Sequence, residues 1–364
     1  MTSPTRLAHP WVADVTRTAE PSTLPFNIVR LDRNERLGPL PEGGLAELRD
    51  RVTSTMLTQY PDTTGLYALL AEHVELPRAR LLLTAGADAA LRALAQAFVA
   101  PGERVAMLSP SYQMYPIHTR IVGGKPELVA IREDLTVEID ELIAAARSSR
   151  MLWLANPNQP TGTLFSRDTL SRVVRECYGS DTLVVIDEAY HPFGGQTLLP
   201  DVATAENLVV IRSFSKAWGL AGLRLGFVAA SPQVIEALYT VRHSFDINAF
   251  AIAAGEWCLR SPQHATDYVV AAEHGAGLVR DAARRNGLEA PVCAGNFQLV
   301  RVAPRFTPGE IKAACWSAGF AIAVPDQSGP LRGYVRVTTG PPDILGRFVK
   351  VFERILLEVK SAEA

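Results

Sequence analysis

Short apolar runs alternate with helix-length segments along most of this chain. Leu81-Leu82-Leu83 precedes a helical stretch at 89–99, Val105-Ala106-Met107-Leu108 precedes 112–121, and Leu128-Val129-Ala130-Ile131 precedes 138–146. Further runs follow at 152–155, 183–186, 208–211 and 223–229. Runs of four to six residues that are apolar on both faces, spaced by helices, predict an α/β unit with a mostly parallel sheet covered on both sides. Ligands of such sheets sit at the carboxyl ends of the strands. A second unit is expected from Ser231-Pro232: a long helical region over 234–285, strands near 297–300 and 334–337, and helices around 308–318 and 343–360. That pattern reads as a smaller α+β domain. Residues 1–25 are rich in Pro, Ser and Thr without periodicity, which suits an arm ordered by contact with the body or with a partner subunit. The expected division is an arm over 1–45, a large domain over 46–232 and a small domain over 233–364.

Composition narrows the function more than the fold. The chain has 364 residues, 48% of them hydrophobic, and a formal net charge of -2. No basic field exists to attract nucleic acid or anionic lipid, and no run approaches the length that spans a bilayer. The first ten residues lack a long apolar stretch of the kind that directs secretion. Cys177, Cys258, Cys293 and Cys315 are scattered without a Cys-x-x-Cys pair, and the seven histidines show no metal-binding spacing. A reducing cytoplasm, no metal, no nucleic acid and no membrane are the expectations.

Three strand ends hold the candidate chemistry. The run Val209-Val210-Ile211-Arg212-Ser213-Phe214-Ser215 ends in Lys216, ahead of a Gly-rich turn, 219–222, and Arg224. A lysine there can be kept partly dry, and desolvation favours the neutral amine that forms a Schiff base with an aldehyde cofactor. Alone, a lysine after a strand is ordinarily a surface residue. Its company upstream changes that reading. Thr182-Leu183-Val184-Val185-Ile186 ends in Asp187-Glu188-Ala189-Tyr190, and Met151-Leu152-Trp153-Leu154-Ala155 ends in Asn156-Pro157-Asn158-Gln159-Pro160-Thr161-Gly162. An apolar run ending in Asp-Glu also occurs in nucleotide hydrolases, but no Gly-x-x-x-x-Gly-Lys-Ser/Thr loop accompanies it here.

In this order the segments resemble the pyridoxal-phosphate aminotransferases of the aspartate aminotransferase fold (fold type I), most closely their histidinol-phosphate aminotransferase branch. The resemblance runs from Leu31-Asp32-Arg33-Asn34-Glu35 to Tyr334-Val335-Arg336-Val337-Thr338. It implies a large domain with a mostly parallel seven-stranded sheet, a smaller α+β domain, and pyridoxal 5′-phosphate as cofactor. Lys216 is then the amine that binds the aldehyde and moves the proton, and Asp187 the anion for the pyridinium nitrogen. Tyr190 donates to the phenolate oxygen beside the residue before Pro160-Thr161-Gly162, usually Asn and here Gln159, so that either the backbone is shifted or Asn158 takes the role. Tyr112 stacks on the ring. Ala87 and Asp88 offer backbone N–H groups to the phosphate at a helix start, completed by Ser213, Ser215 and Arg224. Tyr60 matches a tyrosine that reaches the phosphate of the neighbouring subunit, which implies a homodimer. Arg336 matches the fork that holds the substrate carboxylate, with Asn34 at the same end of the pocket.

The reaction this implies is amino transfer between an L-amino acid and a 2-oxo acid. Sister families with the same motifs decarboxylate, eliminate and cyclise, or oxidise, and a cofactor-binding regulator would carry a basic helix-turn-helix extension for which the arm has no room. The arm reads Asn34-Glu35-Arg36-Leu37-Gly38-Pro39, without the tyrosine usual in the phosphate-binding branch, and Pro325 stands at or near the usual upstream arginine. Arg36 and Arg332 are the available substitutes. The expected substrate therefore lacks a phosphate and is an aromatic or otherwise specialised amino acid.

Overall fold

The computed structural model describes residues 8–13, 15, 28–41 and 43–362; most of the arm expected over 1–25 lies outside them. The strands are β1 (Val29–Leu31), β2 (Leu81–Thr84), β3 (Arg104–Ser109), β4 (Lys125–Ala130), β5 (Met151–Ala155), β6 (Leu183–Asp187), β7 (Leu208–Ser213), β8 (Gly226–Ala229), β9 (Phe297–Arg301), β10 (Phe320–Ile322) and β11 (Tyr334–Thr338). Seven of them form one sheet in the order β2-β8-β7-β6-β5-β3-β4. Neighbours from β4 through β7 pair parallel, and β8 alone runs against the rest. The expected seven-stranded, mostly parallel sheet is present.

Alternation along each strand feeds two cores. Leu81, Leu83, Leu152, Leu154, Val184 and Ile186 face one layer of helices. Leu82, Met151, Trp153, Val185, Val209 and Ile211 face the other. Strands β2, β5, β6 and β8 are buried throughout, so each apolar residue is removed from water whichever face it points to. The edge strand β4 differs: Lys125 and Glu127 interrupt it and Leu128 is 55% exposed, a charged edge that discourages pairing with another chain.

Two expectations about elements change. The run 223–229 is not one strand: Ala221–Leu223 is a single 3₁₀ turn, Arg224 adopts φ +55°, and β8 starts only at Gly226. A Cβ at Gly226 would meet the Arg212 carbonyl oxygen at 2.7 Å and Gly86 at 3.0 Å, so glycine is what lets β2, β7 and β8 converge at this end of the sheet. The helical region 234–285 is three helices, Pro232–Val241, Ala249–Arg260 and Gln263–Arg285. Asn248 breaks the first gap by capping, its side chain accepting from Ala251 N, and Pro262 imposes the second break.

The smaller unit pairs β9 with β11 antiparallel and β1 with β10 parallel, joined by a bridge between Ala323 and Arg336. Its core includes Leu31 and Leu37 together with Val300, Val337 and Phe348, whereas Leu40 packs against a core of the large sheet. The expected boundary at 232 does not separate the cores: Val234, Ile235 and Leu238 join one large-sheet core, and Ala251, Ile252 and Trp257 join the other beside Leu66. Tyr190, Phe193, Tyr268 and Phe297 form a bridging cluster between the units. No helix among the described residues is long and apolar enough to cross a membrane.

Candidate active site

The carboxyl ends of β2, β5, β6 and β7 surround a cavity of about 500 Å³. Ala87, Asp88, Tyr112, Gln159, Asp187, Tyr190, Ser213, Ser215, Lys216 and Arg224 all line it. Ten side chains drawn from five separate stretches of sequence thus meet in one place. Arg33, Glu35, Gln113 and Tyr115, which the sequence reading did not assign, line it too. A second cavity of about 520 Å³, beyond Gly162 and Cys293, is reached by none of the expected site residues.

Lys216 is half-buried, and its Nζ donates to the carbonyl oxygens of Asn34 at 3.1 Å and Arg33 at 3.3 Å. The arm therefore closes over the lysine. Asp187 is fully buried; Oδ2 accepts from Tyr115 Oη at 2.8 Å and Oδ1 from Ala189 N at 3.0 Å. Burial pushes its carboxyl up to about 6, against the lowering effect of the Tyr115 and Ala189 bonds. Its neighbour Glu188 points to the other side of the strand and holds Arg212, Thr197 and the Leu198 N–H.

Tyr112 donates to Asp88 Oδ1 at 2.9 Å and meets Tyr115 edge to face at 5.6 Å. Burial and Asp88 both raise the Tyr112 phenol, so it stays neutral. Tyr190 is buried, and Asn34 Nδ2 donates to its hydroxyl at 2.8 Å, which leaves the Tyr190 proton free to be given away. Asn158 and Gln159 differ in whether their side-chain amides are already engaged. Asn158 spends its amide on Pro110 O and Thr161 Oγ1 and accepts from Ser111. Gln159 lines the cavity and bonds to no described residue, so Gln159 is the available donor.

At the opposite end, the helix Ala87–Phe98 starts without a side-chain cap, its N-cap Gly86 at φ +80°. The Ala87 and Asp88 N–H groups have no intrahelical acceptor and face the cavity, with the favourable end of the helix dipole toward an anion. A Cβ at Gly86 would lie 2.8 Å from Arg224 Nη2, so only glycine lets that guanidinium approach. Ser213 accepts from Ser215 N through Oγ and keeps its own proton. These groups fit a phosphate.

Arg336 and Asn34 are not among the residues that line this cavity, though Asn34 bonds to Lys216 and Tyr190, which do. Arg336 Nη2 donates to Asp32 O at 2.7 Å while its buried Nε has no partner, and no carboxylate pairs with it among the described residues. Burial lowers its guanidinium. Asn34, at φ +53°, receives from Asn296 and gives its own N–H to Thr338 Oγ1, tying the arm to β11. Tyr60 is not brought to the cavity of its own chain. It is 78% exposed and stacks on Phe245, itself 59% exposed. Arg36 is occupied elsewhere, donating to Ala217 O at 2.8 Å with its guanidinium 4.3 Å over the Tyr268 ring, and Arg332 is exposed.

Comparison with known proteins agrees with this architecture. The family of class I and II aminotransferases matches residues 26–278. The histidinol-phosphate aminotransferase of Symbiobacterium thermophilum is 34% identical over 345 residues, covering 91% of each chain. Among solved structures, histidinol-phosphate aminotransferase of Sinorhizobium meliloti in complex with pyridoxal-5′-phosphate superposes with a TM-score of 0.81 at 24% identity, covering 91% of both chains. L-Threonine-O-3-phosphate decarboxylase of Porphyromonas gingivalis gives a TM-score of 0.78 at 25% identity, covering 90% of this chain and 99% of that one. The chain belongs to the aminotransferase class I and II family.

Proposed function

We propose that this aminotransferase uses pyridoxal 5′-phosphate to move the amino group of an L-amino acid without a phosphate to a 2-oxo acid, and works as a homodimer. The observation that carries the substrate reading is Arg336, a half-buried residue whose buried Nε has no hydrogen-bond partner and which no carboxylate bridges among the described residues. A buried cation without a counterion is costly, and a substrate carboxylate is the group that relieves it with a bidentate fork.

When bound, pyridoxal phosphate supplies an aldehyde that takes up the amino group and a ring that draws electrons from the substrate α-carbon. Lys216 is the amine that would hold that aldehyde, and its freed amine would be the base that moves the substrate's α-proton. Asp187 would keep the ring nitrogen protonated. Tyr190, its hydroxyl oriented by Asn34, and Gln159 would donate to the ring oxygen, and Tyr112 would cover the ring face. The Ala87 and Asp88 N–H groups, Ser213, Ser215 and Arg224 would hold the phosphate. The exposed stack of Tyr60 on Phe245 supports the dimer: two large aromatic rings left in water are the kind of pair a partner subunit covers.

A second reading is histidinol phosphate as donor, favoured by the names of the relatives about one-third identical. Against it, Arg36 is engaged with backbone carbonyls, Arg332 is exposed, and no tyrosine follows Asn34-Glu35. Each missing charge-assisted contact to a phosphate costs on the order of 2 kcal/mol. Purified enzyme supplied with 2-oxoglutarate and a panel of L-amino acids and histidinol phosphate tests the reading. We expect glutamate formation and a higher kcat/KM for an unphosphorylated amino acid. A preference for histidinol phosphate establishes the second reading, and release of carbon dioxide without glutamate overturns both.

A further inference from the structure

Two tyrosines three residues apart hand their hydroxyls to carboxylates at opposite ends of the cavity: Tyr112 to Asp88 at the phosphate end and Tyr115 to Asp187 at the floor. Their rings meet edge to face, and Tyr115 also lies parallel to Trp153 with centroids 5.7 Å apart. Tyr115 is thereby clamped between two aromatic rings, 1% exposed, with its one proton aimed at Asp187 Oδ2. We propose that Tyr115 is a positioning residue that keeps the Asp187 carboxylate ionised and turned toward the cavity, so that this carboxylate can hold the cofactor's ring nitrogen. The inference rests on the cofactor reading above.

The argument is one of donors. A fully buried carboxylate favours its neutral form unless hydrogen bonds go to the charged form. Asp187 has two, from the Ala189 backbone and from Tyr115, and only the second depends on a side chain. Glu188 from the same strand end and Asp88 from the helix Ala87–Phe98 both oppose its ionisation. Arg33, Glu35, Tyr112, Tyr190, Lys216 and Arg224 are the other titratable groups lining the cavity with it. A neutral donor is what this position requires: a cationic partner would compete with the ring nitrogen for the same carboxylate, whereas a phenol steadies one oxygen and leaves the charge for the cofactor.

The test is pyridoxal phosphate binding by cofactor-free protein, followed spectroscopically across pH in wild type and Tyr115→Phe. Binding weakens on the acid side as Asp187 takes up a proton. Removing the hydroxyl should weaken binding at neutral pH by about 10- to 100-fold and move the acid limb to higher pH by about one unit. In an Asp187→Asn background, adding Tyr115→Phe should leave the pH dependence unchanged. Equal affinity and an unmoved limb in Tyr115→Phe overturn the proposal, whereas a wild type that binds no pyridoxal phosphate overturns the cofactor reading itself. If Tyr115→Phe does not fold, biosynthetic replacement of tyrosine by 3-fluorotyrosine keeps every ring and makes the hydroxyl a stronger donor. The limb should then move to lower pH, and a limb that stays put or rises overturns the assignment.

Discussion

Asp187 and Glu188 are consecutive, both buried, and yet belong to regions with opposite physical logic. On the cavity side, Asp187 is met by a phenol and a backbone N–H, and burial lifts its carboxyl to about 6. On the core side, Glu188 accepts from Arg212 Nε at 2.7 Å, Thr197 Oγ1 at 2.8 Å and Leu198 N at 2.7 Å, and Arg212 reaches on to His191. One strand end therefore presents a charge left without an ionic partner to one face and a neutralised network to the other. The difference teaches that burial alone does not mark a functional acid: what matters is whether the charge has already been matched.

The contrast is broken most severely at the cavity side's nucleophile. Lys216→Ala should lower turnover by about a thousandfold or more and abolish the visible absorbance of lysine-bound cofactor, with little change in melting temperature; normal multiple turnover would remove Lys216 from the chemistry. The core side should behave the other way. Glu188→Ala strands Arg212 as an uncompensated buried charge and should cost roughly 3–5 kcal/mol of stability, measured by urea unfolding.

A smaller effect sharpens the comparison through pH. Asp187 has a folded pKa raised from the ordinary 3.8 to about 6, so the unfolded chain loses its proton first and stability falls as pH rises from about 4 to 6. Asp187→Asn should abolish that fall, making the cofactor-free protein more stable above pH 6 by on the order of 3 kcal/mol and leaving it little changed below pH 4. His191 on the core side has the opposite slope: burial and Arg212 depress it from 6.5 to about 3, so its contribution is lost as pH falls through that window. Melting curves of wild type and Asp187→Asn from pH 3.5 to 7.5 separate the two slopes; parallel curves would mean that Asp187 is not perturbed. The smallest expected effect is at Gln159. Gln159→Ala should weaken cofactor binding by about 1 kcal/mol, and no change in affinity would leave Tyr190 as the sole side-chain donor to the ring oxygen.

The large sheet was legible because strands buried on both faces leave no alternation to misread, and the strand-end residues followed from it. Residues that act across the chain were harder. Tyr115 lies in the first turn of the helix Met114–Ile121 while Tyr112 precedes that helix, so no helical spacing announces that both hydroxyls reach the same cavity. Arg33 and Glu35 reach the cavity because Asn34 takes a left-handed turn, a backbone event that an Asn-Glu pair does not announce. That the Asn158 amide is engaged while Gln159 lines the cavity is a matter of side-chain hydrogen bonds that only coordinates carry. The three-way split of the helical region lies in Asn248 and Pro262, an N-cap and a helix breaker set in a stretch that otherwise reads as helical.

The arm has one more consequence, for the order in which the molecule can be completed during synthesis. Asn34 N and Thr338 Oγ1 bond across 304 residues, and β1 waits for β10 before it has a neighbour. The seven strands of the large sheet all precede residue 230 and can pair while the last third of the chain is still being made. Arg336, and the strand that fixes Asn34 over Lys216, arrive last. Contacts of such separation form late because closing so long a loop costs entropy before it returns any stabilisation. A ribosome-bound chain can thus pair the strands that carry Asp187 and lead to Lys216 well before the strand that holds Arg336 exists.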